Sequence, residues 1–159
     1  MGQPEFSAKV IPIAQEDECI SQELKVLDKT FKVTAVSMGN PHCVIEVDDL
    51  SDDLVNKYGP AIEVHEFFPE KTNVEFVSLK DEGRAEIRVW ERGVGETLAC
   101  GTGICGVFAA LRRLNKVSDK LEVLAPGGSF SVEWRDGIYL SGPAEVVFEG
   151  RIDTESLDV

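Results

Sequence analysis

The feature that most constrains the fold is a long apolar stretch that has helical spacing and no polar face. It predicts a helix over residues 102–114, in which apolar and small residues occupy every side until Arg112 and Arg113 in the last turn. Because a helix that is apolar all round needs cover on every side, we expect other elements to enclose it and only its basic end to reach solvent. Gly103 and Gly106 cost this helix about 1 kcal/mol each relative to alanine, which is tolerable if they let backbone or ligand approach closely.

Several short segments alternate like half-buried strands and can supply this enclosure. Residues 31–37 and 84–90 are clear examples. Further strand candidates, separated by turns rich in Asp, Gly and Pro, are residues 6–13, 42–47, 72–79, 120–124, 129–135, 138–141 and 144–148. A second helix is expected over residues 51–64, with Ser51 as its N-cap. Together these elements predict an α+β fold, a mostly antiparallel curved sheet or barrel wrapped around the central apolar helix.

Composition limits the class of protein and its partners. A chain of 159 residues with 43% hydrophobic content suits one domain with a true core. Sixteen basic against 29 acidic side chains give a net charge of −13, which repels phosphate backbones and anionic lipids, so we expect neither a nucleic-acid nor a membrane partner. No apolar run approaches the roughly 20 residues that span a bilayer, and the N-terminus lacks the basic region of a signal peptide. We expect a cytoplasmic protein.

One of the four cysteines stands at a position that makes thiols reactive. Cys19, Cys43, Cys100 and Cys105 lack CxxC spacing, so the sequence suggests neither a disulfide framework nor a metal site. Cys100 is carried from a strand end into the first turn of the apolar helix, where the helix dipole and unpaired N–H groups favour a thiolate and can hold a substrate carboxylate. The alternative is a small buried hydrophobic residue at a glycine-rich turn.

A carboxylate arrives where strand alternation calls for an apolar residue. Ala85, Ile87 and Val89 share one face of their strand, and Glu91 is next on that face. Glu91 is therefore a candidate catalytic residue. The alternative is that the strand has ended and Glu91 is solvated or pairs with Arg92.

Two further polar candidates lie at strand entries. His42 opens a strand after the turn at residues 38–43, in which Asn40 is held extended by the following proline. A histidine there is either catalytic or a hydrogen-bonded structural residue. Asn73 enters another strand, where it either binds a ligand or caps a turn.

Three segments together resemble the diaminopimelate epimerase family: residues 38–44 (MGNPHCV), 72–77 (TNVEFV) and 90–103 (WERGVGETLACGTG). The resemblance extends from residues 1–6, similar to the entry into the family's second domain, to residues 142–150, similar to its C-terminal strand. It implies two pseudo-symmetric halves that each present one catalytic cysteine, and this chain resembles only the second half. Residues 1–142 are then a C-terminal-type epimerase domain, and residues 143–159 are a final strand and tail that would join the missing N-terminal half.

The resemblance implies an isomerase that interconverts LL- and meso-diaminopimelate without pyridoxal phosphate or another cofactor. One thiolate removes the α-proton while the opposite thiol delivers a proton. Cys100 takes one of these roles, Gly101 and Thr102 donate backbone N–H groups to the reacting carboxylate, Glu91 meets the reacting ammonium group, and His42 lies beside the catalytic centre. The pathway implied is the synthesis of lysine and cell-wall precursors.

The resemblance implies that Asn40, Asn73 and Arg92 bind the far end of the substrate. Together they offer amide groups and a guanidinium that can donate two hydrogen bonds to a carboxylate. The implied partners are diaminopimelate, the N-terminal half and a second copy in a homodimer. With one catalytic cysteine, we expect this chain to be inactive alone, and to fray after about Gly142 or self-associate. The alternatives are a non-catalytic amino-acid-binding or assembly module, or a related cofactor-independent racemase for a substrate such as proline, which would leave the far-end polar groups unpaired.

Overall fold

The computed structural model describes residues 1–153 and has the expected α+β architecture. Both predicted helices are present, α1 (Asp52–Glu63) and α2 (Gly101–Arg113). The strands of the described residues are β1 (Gln22–Val26), β2 (Lys29–Ser37), β3 (Pro41–Glu46), β4 (Asn73–Asp81), β5 (Arg84–Glu91), β6 (Gly95–Thr97), β7 (Lys120–Ala125), β8 (Gly128–Trp134) and β9 (Ile138–Ser141).

These strands form one sheet in the order β1-β2-β3-β4-β5-β7-β8-β9, and β6 pairs with the C-terminal end of β5. The pairs β3–β4 and β5–β7 are parallel, and the other pairs are antiparallel. The mostly antiparallel character is therefore confirmed. Of the two forms expected, the structure has the open curved sheet, since β1 and β9 each lie at an end of the strand order.

Helix α2 lies against one face of the sheet and is enclosed as predicted. Every residue from 103 to 111 is buried, and the helix contacts β2, β3, β4, β8 and β9. Ile104, Phe108 and Leu111 are almost fully removed from solvent, and burying each contributes about 1.5–3 kcal/mol. The basic end emerges, because Arg112 and Arg113 form exposed ion pairs with Asp119 and Glu18.

The opposite face of the sheet packs against α1 and the N-terminal segment. Ser51 caps α1 as predicted, with its hydroxyl oxygen accepting the Leu54 N–H at 3.4 Å. Because side chains alternate along a strand, β4 serves both cores: Val74 and Phe76 face α1, whereas Val77 faces α2.

Two predicted strands are wrong. In the segment predicted as a strand over residues 6–13, residues 8–12 form turns, and the Val10 and Ile11 N–H groups donate to the Ser7 carbonyl oxygen. Their apolar side chains enter the α1-side core from these turns, so the apparent alternation did not indicate a strand. Residues 144–148 lie in no strand, and the side chains of Val146 and Phe148 are more than four-fifths exposed. Residues 154–159, the end of the expected tail, lie outside the described residues.

Two strands were missed. β1 has a weak pattern, since only Leu24 and Val26 of its five residues are buried at the sheet's edge. β6 is only three residues long and is held by its pairing with β5.

Candidate active site

Cys100 is the N-cap of α2 rather than a residue of its first turn. Its backbone is extended (φ −128°, ψ 114°), and its Sγ accepts the Gly103 N–H at 3.4 Å. Sγ also lies 3.4 Å from the Thr102 hydroxyl. Cys100 is 9% exposed, whereas Cys19, Cys43 and Cys105 are fully buried. Among residues 1–153, the cysteine with the most access to solvent is therefore the one at the N-terminus of α2.

The helix N-terminus was expected to favour the thiolate of Cys100, but its surroundings in the structure favour the thiol. Burial raises the pKa of the Cys100 thiol, and the nearby charges of Glu75 and Glu91 raise it further. The hydrogen bonds from Thr102 and Gly103 lower this pKa but do not outweigh burial. The pKa is therefore above its ordinary value of 9.0, and the resting form at neutral pH is the thiol.

Glu91 lies where strand alternation predicts, at the end of β5 and on the face that packs against α2. It is half-buried, and its Oε1 accepts the Thr97 hydroxyl proton at 2.5 Å. The partner of this carboxylate is thus β6 rather than the adjacent Arg92. The charge of Glu91 raises the pKa of the Cys100 thiol, so the two groups interact electrostatically.

His42 is fully buried between β3 and α2. Its Nδ1 lies 2.7 Å from Glu75 Oε1, and its Nε2 lies 3.0 Å from Asn40 Oδ1. A Cβ added at Gly106 of α2 would lie 3.4 Å from the Cβ and Cγ atoms of His42, so the ring rests directly against the helix. His42 is therefore a hydrogen-bonded residue, which fits the structural alternative and leaves a catalytic role open.

Asn73 links the segments that hold the proposed far-end residues. Its Nδ2 donates to the Pro41 carbonyl oxygen at 2.8 Å, and its Oδ1 accepts the Arg92 N–H at 2.9 Å. The parallel pairing of β3 with β4 sets His42 opposite Asn73. Asn40 is half-buried and Arg92 is exposed, with its Nη1 donating to the Glu70 carbonyl oxygen at 3.2 Å.

A model of the family described as "Diaminopimelate epimerase" matches residues 34–147. The chain belongs to the diaminopimelate epimerase family. A diaminopimelate epimerase of Carboxydothermus hydrogenoformans is 49% identical over 152 residues, 94% of this chain and 56% of that protein. One of Methanococcus maripaludis is 46% identical over 96% of this chain and 57% of its own length. The chain thus spans about half the length of the curated relatives it matches.

The fold also occurs in a solved epimerase. A hydroxyproline epimerase from Agrobacterium vitis superposes with a TM-score of 0.56 at 16% identity, covering 72% of this chain and 40% of that one. This likeness concerns the fold alone.

Sequence reasoning gave no role to Glu75, which the structure places directly beside His42. Glu75 is fully buried on the α2 face of β4 and bonds His42. A signal was present in the sequence: a carboxylate interrupts the predicted strand 72–79 between apolar neighbours, and such a group is seldom buried without a partner.

Glu63 was also missed. Its Oε2 accepts the Trp90 indole N–H at 2.8 Å and its Oε1 accepts the Gly93 N–H at 2.9 Å, so α1 holds the turn that contains Arg92. Gly93 has φ 78°, a backbone conformation that favours glycine. An acidic residue in the last turn of a helix is disfavoured by the helix dipole, which is a signal that it has a partner elsewhere.

No group of three or more His, Cys, Asp or Glu side chains in residues 1–153 could hold a metal ion. No helix in this range has the length and apolar character to cross a membrane.

Proposed function

We propose that this chain forms the C-terminal half of a diaminopimelate epimerase and that Cys100 is one of its two catalytic cysteines. The proposal rests on the family membership and on one observation above all: the accessible thiol caps the N-terminus of a helix that is otherwise enclosed. In this proposal residues 1–142 are the epimerase domain, and residues 143–159 join the N-terminal half. The implied isomerase would act in lysine biosynthesis.

The reaction inverts the α-carbon by moving two protons. A thiolate on one face takes the α-proton, the C–H electron pair spreads into the carboxylate, and a thiol on the other face gives its proton to the α-carbon. Each turnover thereby exchanges the protonation states of the two cysteines. Because its pKa is raised, Cys100 suits the proton donor in the resting protein.

The first turn of α2 suits the negative charge that develops on the substrate carboxylate. Gly103 and Ile104 use their N–H groups on the Sγ and carbonyl oxygen of Cys100. Helix geometry leaves the N–H groups of Gly101 and Thr102 without an intrahelical acceptor, so these two can donate to the carboxylate.

The remaining polar residues fit the two ends of diaminopimelate. Glu91 is a carboxylate near Cys100 and can accept hydrogen bonds from the reacting ammonium group. His42 lies on the same face of the sheet and completes the proposed catalytic centre. At the far end, the exposed guanidinium of Arg92 can fork onto the distal carboxylate, with Asn40 and Asn73 on the neighbouring segments.

One thiol cannot serve both faces of the α-carbon, so we propose that the second cysteine comes from an N-terminal half. A homodimer in the cytoplasm is the proposed assembly. Four free cysteines suit such a reducing compartment.

The test is α-proton exchange in D₂O with LL-diaminopimelate, followed by NMR. It compares this chain alone with a fusion that places before it the portion of the Carboxydothermus hydrogenoformans relative that this chain does not match, which we propose to be the N-terminal half. We expect the fusion to incorporate deuterium and form the meso isomer, and the chain alone to do neither.

The matched controls are two cysteine variants of the same helix. Cys100→Ala should abolish exchange in the fusion, whereas Cys105→Ala, which removes a buried thiol inside α2, should retain it. Exchange by the chain alone that disappears in Cys100→Ala would contradict the need for a second half. Binding of diaminopimelate by the fusion without exchange would favour a binding module, and exchange of proline in place of diaminopimelate would favour a related racemase.

A further inference from the structure

Glu75 is a buried carboxylate that the proposed reaction does not use. It has no solvent exposure, and among the described residues its Oε2 has no hydrogen-bond partner. A buried acceptor without a partner costs roughly 1–3 kcal/mol, and native proteins contain few of them. A carboxylate kept at such a cost calls for a function that a neutral side chain would not provide.

The structure fixes Glu75 tightly between the sheet and α2. A Cβ added at Gly103 would lie 2.7 Å from Glu75 Oε1 and 3.3 Å from its Cγ, whereas one added at Gly106 would lie 3.4 Å from His42, in van der Waals contact with it. Gly103 therefore makes room for Glu75. This accounts for one helix-weakening residue of α2, since the close approach of Glu75 to the helix leaves no space for a side chain there.

The pair determines how the ring of His42 is used. Glu75 Oε1 is 2.7 Å from Nδ1, and a carboxylate oxygen can only accept, so Nδ1 carries the proton. Nε2 then points the other way, to Asn40, one of the residues proposed to bind substrate. Each ring nitrogen of His42 therefore faces an oxygen atom, one from Glu75 and one from Asn40.

We propose that Glu75 is a positioning residue for His42: it holds the Nδ1 proton and so presents Nε2 on the substrate side of the site. The effect on turnover rests on the proposed function, whereas the protonation of His42 does not. Glu75 itself stays behind the histidine, out of contact with substrate.

The first arm of the test is ¹⁵N NMR of histidine-labelled chain at pH 7. The sequence has two histidines, and His65 is an internal standard of opposite type, because its Nδ1 accepts the Phe67 N–H and its Nε2 faces the Lys25 carbonyl oxygen. His65→Asn assigns the spectrum. We expect a protonated Nδ1 in His42 and an unprotonated Nδ1 in His65; an unprotonated Nδ1 in His42 would overturn the proposal without any variant.

The second arm compares Glu75→Gln with Glu63→Gln, a buried carboxylate on α1 that bonds Trp90 and Gly93. The first should shift both His42 nitrogen signals, and the second should leave them in place. Unchanged His42 signals in Glu75→Gln would also overturn the proposal.

The third arm measures kcat and KM in the fusion. Because a carboxylate that orients a histidine supports catalysis rather than binding, Glu75→Gln should lower kcat at least about tenfold with KM changed less than about twofold. Equal kcat would refute the positioning role. An inactive fusion with Glu75 intact would instead count against the proposed function, while the NMR result would stand by itself.

Discussion

At the scale of single residues, opposing effects on one thiol decide the chemistry of Cys100. The helix N-terminus offers hydrogen bonds that favour the thiolate, and this was predictable from the sequence around the cysteine. Burial acts in the other direction and is larger, which became visible only when neighbouring elements enclosed the side chain. Because the pKa is raised, less of the Cys100 thiol is in the reactive thiolate form at neutral pH.

We predict that iodoacetamide alkylates Cys100 before the other thiols and that its rate keeps rising above pH 9, because only the thiolate reacts and its pKa is raised. Mass spectrometry after timed labelling measures the rate at each site. Thr102→Val removes a hydrogen bond that lowers the pKa, so it should slow labelling at pH 8, whereas Glu91→Gln removes a charge that raises it and should speed labelling. A rate that levels off below pH 8 would contradict the prediction.

At the scale of elements, the contact between α1 and β5 supports the Arg92 turn. Gly59 of α1 faces the ring of Trp90, and the indole N–H donates to Glu63 one turn further along the helix. The helix itself was predictable from its N-cap and apolar spacing. The packing of this helix against Trp90 was not predictable, because Trp90 and Gly59 are far apart in sequence and local patterns do not report such contacts.

We predict that Gly59→Ala destabilises the protein by about 1–3 kcal/mol, although alanine is the better helix former. The added Cβ would lie 2.9 Å from Trp90 Cγ, and a ring held by Glu63 has little freedom to move. Urea unfolding at pH 7 measures the effect. Asn56→Ala, on the exposed side of the same helix, should leave the free energy of unfolding unchanged or raise it slightly. If both variants raised the free energy of unfolding equally, the contact between Gly59 and Trp90 would not be tight.

The last apolar segment is the element whose state depends on the proposed partner. Val146, Val147 and Phe148 are 83–89% exposed in this chain. Fraying or self-association after Gly142 therefore stays a prediction. We expect the amides of residues 144–148 to exchange with D₂O rapidly in the monomeric chain and slowly in the fusion, where the segment can join a sheet. Hydrogen-exchange NMR or mass spectrometry decides this, and strong protection in a monomer would contradict it.

At the scale of the whole molecule, one sheet separates two apolar cores, and each core buries thiols. Cys105 lies in the α2 core, and burial raises its pKa to about 12 from the ordinary 9.0. Cys43 lies in the other core with a pKa raised well above 9.0. Folding therefore favours the thiol form, so both groups add stability below pH 9 that is lost at higher pH, and for Cys105 this loss continues until the pH reaches about 12.

We predict that the free energy of unfolding falls by about 2 kcal/mol from Cys105 alone between pH 8 and pH 10.5. Urea unfolding at several pH values measures the slope, and Cys105→Ala should make it shallower by that amount. The cavity left by the substitution lowers the free energy of unfolding by the same amount at every pH, so it does not affect the comparison of slopes. Parallel slopes would mean that Cys105 ionises in the folded protein as easily as in the unfolded one.

The sequence by itself determined which residues face which way. Local periodicity showed that α2 needs enclosure and placed Glu91 on the face of Ala85, Ile87 and Val89, because both depend on neighbours a few residues apart. The family was indicated by the resemblance of three motif segments, and the family model that matches residues 34–147 bears it out. The strand predicted over residues 6–13 was wrong, because apolar side chains there reach the core from turns.

Only the tertiary structure decided which of these residues meet. The parallel pairing of β3 with β4 brings His42 to Glu75 across 33 positions of sequence, and packing around the start of α2 leaves Cys100 only 9% exposed. Strand register and burial arise from contacts between distant segments, so no single pattern along the chain contains them. The sequence thus specified the chemical groups of the site, and the fold set their hydrogen bonds and their protonation.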